Sequence, residues 1–264
     1  MPLIIFIFGT MIGSFISVLI HRIHENKPGI LLGRSQCTQC KYKLRPLDLI
    51  PLFSYIFTRG KCRSCKKSIS LTYPALELMT GFTFLALYLF TPSIFELHEV
   101  TYNTGYLHTV LFYYFTFTAL IFTFFYDLKY LEISDRILLP LIIIGIILPF
   151  TPNYFLEPKD MALGLLIPIA FFAFQIIISK GKWIGGGDLR IGAVMGVLLG
   201  WKAVLLALFV GYCIGAVISL LLLTSKKFTR KSMIPFGPFL VIGTYIAFFY
   251  GEAIIKWYLE LFYI

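Results

Sequence analysis

The chain has 264 residues, 58% of them hydrophobic and 14% charged, with 27 phenylalanines and 16 tyrosines. Soluble domains carry about 25% charged and roughly 45–50% apolar residues, and disordered chains need low hydrophobicity. This composition and a mean hydropathy of +0.85 therefore exclude both classes and predict an all-α polytopic integral membrane protein. At ~20 residues per span the length allows about eight transmembrane helices.

Residues 2–20 are apolar and uncharged, and the first basic group, Arg22, follows them. A cleaved signal peptide carries its positive charge ahead of the apolar run, so this segment is expected to be a retained first helix with its N-terminus outside. Residues 21–72 form the one long polar stretch. Apolar blocks then recur at about 73–91, 108–126, 137–151, 161–179, 189–200, 203–223 and 237–257. The block at 189–200 is short, readable as a half-span or as one arm of a hairpin with 203–223. Loops at 21–72, 127–136, 180–190 and 225–233 hold 11, 2, 3 and 4 lysines and arginines, 20 of the 23 in the chain. The positive-inside rule places that side in the cytoplasm. The net charge of +10 then reads as topology. The run from Lys226 to Lys231 is expected to meet anionic lipid at the cytoplasmic face, with no nucleic-acid partner. No internal repeat stands out.

Four of the five cysteines are grouped as Cys37-x2-Cys40 and Cys62-x2-Cys65, with 21 residues between the pairs. Two such knuckles in one loop offer four thiolates in a tetrahedron, the set a structural Zn²⁺ prefers. Flanking lysines favour the thiolate. Paired disulfides or unfilled cysteines are the alternatives, and a reducing cytoplasm disfavours the former. Cys213, within an apolar block, reads as a small packing residue. His21, His24, His98 and His108 show no metal-ligand spacing.

An ionisable group inside hydrocarbon costs several kcal/mol, which singles out Glu77, Asp127 and Asp188. Asp127 ends the apolar run 120–126, and Asp188 follows Gly185-Gly186-Gly187 and opens a later block. In the alternating scheme both fall at one depth on one side, although 61 residues separate them. A carboxylate pair sharing a proton can hydrolyse a peptide bond: one takes a proton from water while the other donates to the carbonyl oxygen. The competing reading is two helix-end charges at the interface. The glycines would let a substrate strand lie close. Asp188 near a helix N-terminus and Asp127 near a C-terminus suggest Asp188 as the anion and Asp127 as the acid. Asp135, in the turn Glu132-Ile133-Ser134-Asp135-Arg136, would cap the next helix.

These residues resemble a known family. Gly13-Ser14-Phe15 with Val18 and Arg22, the two cysteine knuckles, Asp48, Ile50-Pro51, Ser54-Tyr55, Gly60-Lys61-Cys62, Tyr73-Pro74 with Glu77, Tyr126-Asp127-Leu128, Gly185-Gly186-Gly187-Asp188 and Pro235-Phe236-Gly237-Pro238-Phe239 together are similar to the bacterial type IV prepilin peptidases. These are GxGD aspartic proteases and N-methyltransferases of the cytoplasmic membrane. The resemblance implies Asp127 and Asp188 as the catalytic pair and type IV prepilin or pseudopilin precursors as substrates, cut at the cytoplasmic face. It also implies methylation of the new N-terminal residue from S-adenosylmethionine, with Glu77 a candidate contact for cofactor or substrate. Glu132 and Asp135 would receive the basic leader. Ser17 stands where the family usually has Asn, and Arg190 where it commonly has Lys. Three parts are expected: a first helix (1–20), a cytoplasmic loop with the zinc site and methyltransferase region (21–72), and a seven-helix peptidase core (73–264). A protease-only relative and a carboxylate-dependent transporter are the other readings.

Overall fold

The computed structural model describes residues 1–25, 33–97, 104–151, 154, 156–224 and 232–261. His98 and the basic run from Lys226 to Lys231 lie outside them. The described chain is helical, and its only strand-like pairing is two isolated antiparallel bridges, Gln36 with Lys43 and Lys61 with Ser68. It divides into two compact units, Met1–Pro92 and Ser93–Ile264.

In the first unit, helix α1 (Pro2–His24) packs against α3 (Thr72–Leu97), with Phe6 and Phe82 edge to face at 5.2 Å between ring centroids. Hydroxyls in these apolar helices need internal acceptors, because lipid supplies none. Thr80 and Thr83 accordingly donate to the carbonyls of Leu76 and Met79, each at 2.8 Å, and Ser17 to that of Ser14 at 2.6 Å. Between the two helices lie both cysteine knuckles, a 3₁₀ turn at Pro46–Leu49 and the short helix α2 (Phe53–Phe57).

The second unit contains α4 (Thr104–Tyr130), α5 (Asp135–Ile147), a 3₁₀ turn at Leu148–Phe150, α6 (Pro158–Ser179), α7 (Gly186–Thr224) and α8 (Gly237–Glu260). α7 is central, packing on α6, α8 and α5. Helices in lipid associate by close packing rather than by hydrophobicity. One such contact is aromatic: fully buried Phe117 of α4 meets Tyr245 and Phe248 of α8 at 4.8 Å, each pair worth about 0.5–1.5 kcal/mol.

Among the described residues, six helices are long and apolar enough to cross a membrane. The eight apolar blocks of the sequence are all helical, and one is shorter than expected. The blocks at 189–200 and 203–223 are the two antiparallel arms of a helical hairpin, α7, as the spacing allowed: the chain reverses where Gly200 adopts φ 71° and ψ 177°, with Gly196 against Gly164, Trp201 on Asp160 and Tyr212 back at Gln175 of α6. Only glycine takes that conformation cheaply. The block at 137–151 is a 13-residue helix, α5, followed by the 3₁₀ turn. At 1.5 Å per residue α5 is ~20 Å long, short of the ~30 Å hydrocarbon thickness.

Candidate active site and candidate metal centre

The two knuckles of the first unit are built alike, offset by 25 residues. In the first, the Cys37 N–H donates to the Tyr42 carbonyl (2.9 Å) and the Lys41 N–H to the Cys37 carbonyl (3.0 Å). In the second, the Cys62 N–H donates to the Lys67 carbonyl (2.9 Å) and the Lys66 N–H to the Cys62 carbonyl (3.0 Å). Lys41 and Lys66 both turn the chain with φ 58°. The chain thus does contain a short structural repeat, marked in sequence only by Cys-x2-Cys-Lys. The four cysteines are free thiols. Their sulfurs all lie within 4.8 Å of one another, and Cys37–Cys65 and Cys40–Cys62 stand 4.0 Å apart. A tetrahedral Zn²⁺ with Zn–S of about 2.3 Å needs S···S edges of about 3.8 Å, so this donor set fits zinc. The backbone N–H of Cys40 beside Cys37 pulls that thiol down to about 6. Cys65 receives similar help from the Lys67 N–H, but burial and the three neighbouring sulfurs push it up to about 11. Four sulfurs crowded this way ionise together readily only around a cation.

The knuckles are tied to the rest of the unit by polar contacts. Arg63 Nε pairs with Asp48 Oδ1 at 2.9 Å, and Asp48 Oδ2 accepts the Arg45 N–H at 3.1 Å. We expect about one zinc per chain in the purified protein by elemental analysis, and a marked loss in Cys40→Ser. Because protons compete for the sulfurs, zinc retention should fall as pH falls. Full occupancy in the variant would refute the four-sulfur site.

Glu77, buried on α3, accepts the Leu52 backbone N–H on Oε2 at 2.8 Å and a bond from the Ser14 side chain. Leu52 is held at φ 62° and ψ −52°, a conformation that costs a non-glycine residue about 1–3 kcal/mol. Glu77 therefore pins a strained corner of the loop to α3. Replacing Glu77 by leucine would leave that N–H unpaired, at a cost of about 1–3 kcal/mol. The expected result is a lower Tm and faster proteolysis of the loop, with Glu77→Gln recovering much of the loss through its amide oxygen. An unchanged Tm in Glu77→Leu would contradict this anchoring.

In the second unit three helix ends converge. Asp127 lies in the last turn of α4, which closes at Leu131 (φ 55°) with its N–H on the Asp127 carbonyl at 2.9 Å. Asp188 lies in the first turn of α7, its N–H on the Gly185 carbonyl at 3.2 Å. Asp127 and Asp188 are 5% and 7% exposed, and Asp127 Oδ2 and Ile191, one turn after Asp188, crowd the same point on Gly237. The third end is that of α8. The Gly237 N–H donates to Asp127 Oδ2 at 3.0 Å in a buried contact, and a Cβ on Gly237 would stand 2.6 Å from that oxygen and 3.1 Å from Ile191 Cδ1 of α7. Asp127 therefore faces a helix N-terminus as well as ending a helix. The expected dipole asymmetry between the two aspartates is offset at Asp127 by α8.

The surrounding candidates separate. A Cβ on Gly187 would stand 2.6 Å from Ile133 Cδ1, whereas one on Gly186 would meet nothing within 4 Å beyond its chain neighbours and one on Gly185 only the Gly187 nitrogen at 4.0 Å. Gly187 thus seats the turn after α4, and Gly185 and Gly186 leave open space. Asp135 Oδ1 is paired with Arg190 Nε at 2.9 Å, and Glu132 Oε2 accepts the Tyr126 hydroxyl at 3.4 Å. Gly237 was missed by side-chain reasoning. Its signals were the Gly-Pro step at a helix start and its place in the Pro235-Phe236-Gly237-Pro238-Phe239 stretch of the family resemblance.

Residues 7–91 match the Bacterial Peptidase A24 N-terminal domain, and residues 114–220 match the Type IV leader peptidase family. The chain belongs to this peptidase family. It is similar to the prepilin leader peptidase/N-methyltransferase of Bacillus subtilis (strain 168), with 32% identity over 98% of both chains. It is also similar to proteins of that name from Aeromonas salmonicida (28%, covering 97% of this chain and 93% of the relative) and Legionella pneumophila (29%, 98% and 94%). No solved structure matches. Asp127 and Asp188 fall within the leader-peptidase match, and Glu77 and the four cysteines within the N-terminal one. The chain is thus a multi-pass membrane enzyme of a protease family.

Proposed function

We propose that the chain cleaves the leader peptide from type IV prepilin or pseudopilin precursors at the cytoplasmic face of the bacterial inner membrane, and N-methylates the residue so exposed. The observation that carries the cleavage reading is two buried carboxylates at one junction of helix ends, in a peptidase-family chain. Of Asp127 and Asp188, one takes a proton from water and the other, protonated, donates to the scissile carbonyl. The Gly237 N–H holds Oδ2 of Asp127, so Oδ1 is the oxygen left for the reacting atoms. The open space at Gly185 and Gly186 admits an extended substrate backbone. A basic leader would approach Glu132 and Asp135, displacing Arg190 from the latter.

Relatives named N-methyltransferases support the second activity, with S-adenosylmethionine as cofactor. A buried carboxylate beside a hydroxyl suits its ammonium group, so Glu77 with Ser14 would hold it. The group supplies an electrophilic methyl when bound. Zn²⁺ on Cys37, Cys40, Cys62 and Cys65 would be structural, giving folding energy to a loop with little core. The charge asymmetry favours an outside N-terminus and a cytoplasmic cysteine loop, with anionic lipid at that face and no nucleic acid. We divide the chain into the first helix (1–20), the zinc and methyltransferase loop (21–72) and the peptidase core (73–264).

Purified protein incubated with a prepilin and labelled S-adenosylmethionine tests both activities together. Leader release with label on the trimmed product supports the full reading, release without label leaves a peptidase alone, and neither overturns the proposal.

A further inference from the structure

The surface of the knuckle segment does not resemble that of a water-exposed domain. Residues 33–71 carry nine lysines and arginines and a single carboxylate, Asp48, which Arg63 already engages. Among these charges sit bare apolar side chains: Phe57 is 80% exposed, Leu47 66% and Phe53 60%. They are not scattered. A cleft of about 660 Å³ is lined both by apolar side chains, including Leu47, Phe53 and Phe57, and by basic ones, including Arg59, Lys61 and Lys66. At one end of the segment Leu71, 72% exposed, directly precedes the first residue of the apolar helix α3.

We infer that this face of the knuckle segment docks on the surface of the bilayer, its apolar side chains entering the headgroup boundary and its basic ones binding anionic phospholipid. Apolar side chains rimmed by lysine and arginine are the pattern of interfacial anchoring, and each basic residue near an anionic surface contributes about 1 kcal/mol. The segment is tethered between two apolar helices, α1 and α3, so the lipid surface lies within short reach. The other ligands considered fit less well. S-adenosylmethionine carries a net positive charge, which the basic side chains repel. Nucleic acid would satisfy the cations but leave the aliphatic Leu47 and Leu71 bare. The docking is separate from the peptidase reading, since a chain inactive on prepilins would still show it.

The test is amide hydrogen exchange over residues 46–67 of the full-length, zinc-replete protein. Nanodiscs with about one third phosphatidylglycerol should slow exchange about tenfold or more relative to phosphatidylcholine nanodiscs. Phe57→Ser and Arg59→Glu, both at exposed positions, should each reduce the difference severalfold while keeping their zinc. Equal exchange in the two lipids would overturn the inference. So would the same protection in detergent alone, which would mean that protein covers the face. Protection in detergent by inorganic phosphate or a short oligonucleotide would overturn it too, assigning the face to a free anion or to nucleic acid.

Discussion

Asp127→Asn and Asp188→Asn are each expected to lower kcat for prepilin cleavage by about 10²–10⁴-fold, the usual range for loss of a general acid or base. Asparagine keeps the shape of the side chain, and its carbonyl oxygen can still accept the Gly237 N–H that now meets Asp127 Oδ2. It cannot exchange a proton with water or with the scissile carbonyl. The fold should therefore survive, with unchanged Tm and zinc content, and KM should move little because the proposed leader contacts, Glu132 and Asp135, are untouched. Methylation of a pre-trimmed pilin should also persist, since the proposed cofactor contact, Glu77, belongs to the other compact unit. Loss of both activities together in a folded variant would mean that the two chemistries share these aspartates.

Gly237→Ala is expected to lower kcat for cleavage by about 10²-fold or more. The added Cβ would stand 2.6 Å from Asp127 Oδ2, closer than side-chain carbons are found. The carboxylate must move away and lose the N–H that holds it. Misplacing a reacting group by about 1 Å costs on the order of 10²-fold, so one methyl group suffices without removing any catalytic atom. A structural role alone would lower Tm and leave kcat per folded enzyme intact. Here Tm should hold and kcat fall, and a kcat within a factor of two of the parent would remove Gly237 from the positioning machinery.

That contact marks where sequence reading stops. The apolar blocks, the cysteine spacing and the two aspartates at one depth are side-chain patterns, and side-chain patterns survive in one dimension. The Gly237 donor is a backbone N–H 110 residues from its acceptor, on a residue with no side chain to suggest a partner. The Leu52 N–H on Glu77 escapes for the same reason, although Glu77 itself stood out as a charge in an apolar helix. The reversal at Gly200, by contrast, was legible, because Trp201-Lys202 separates the blocks at 189–200 and 203–223. Asp135 illustrates the converse. Its position suggested a cap or a docking point, and the structure pairs it with Arg190 from a different helix. The repeated knuckle was legible as Cys-x2-Cys-Lys, yet only its hydrogen bonds show that the two halves are one structure used twice.

The central claim is that Asp127 and Asp188 act as one unit on one water. A double-mutant cycle on prepilin cleavage tests it most directly, comparing Asp127→Asn, Asp188→Asn and the double variant at equal folded concentration. Residues that act as a unit are strongly non-additive, so each single variant should fall to nearly the residual rate of the double. Substantial cleavage by either single variant, or losses that multiply in the double, would contradict the account.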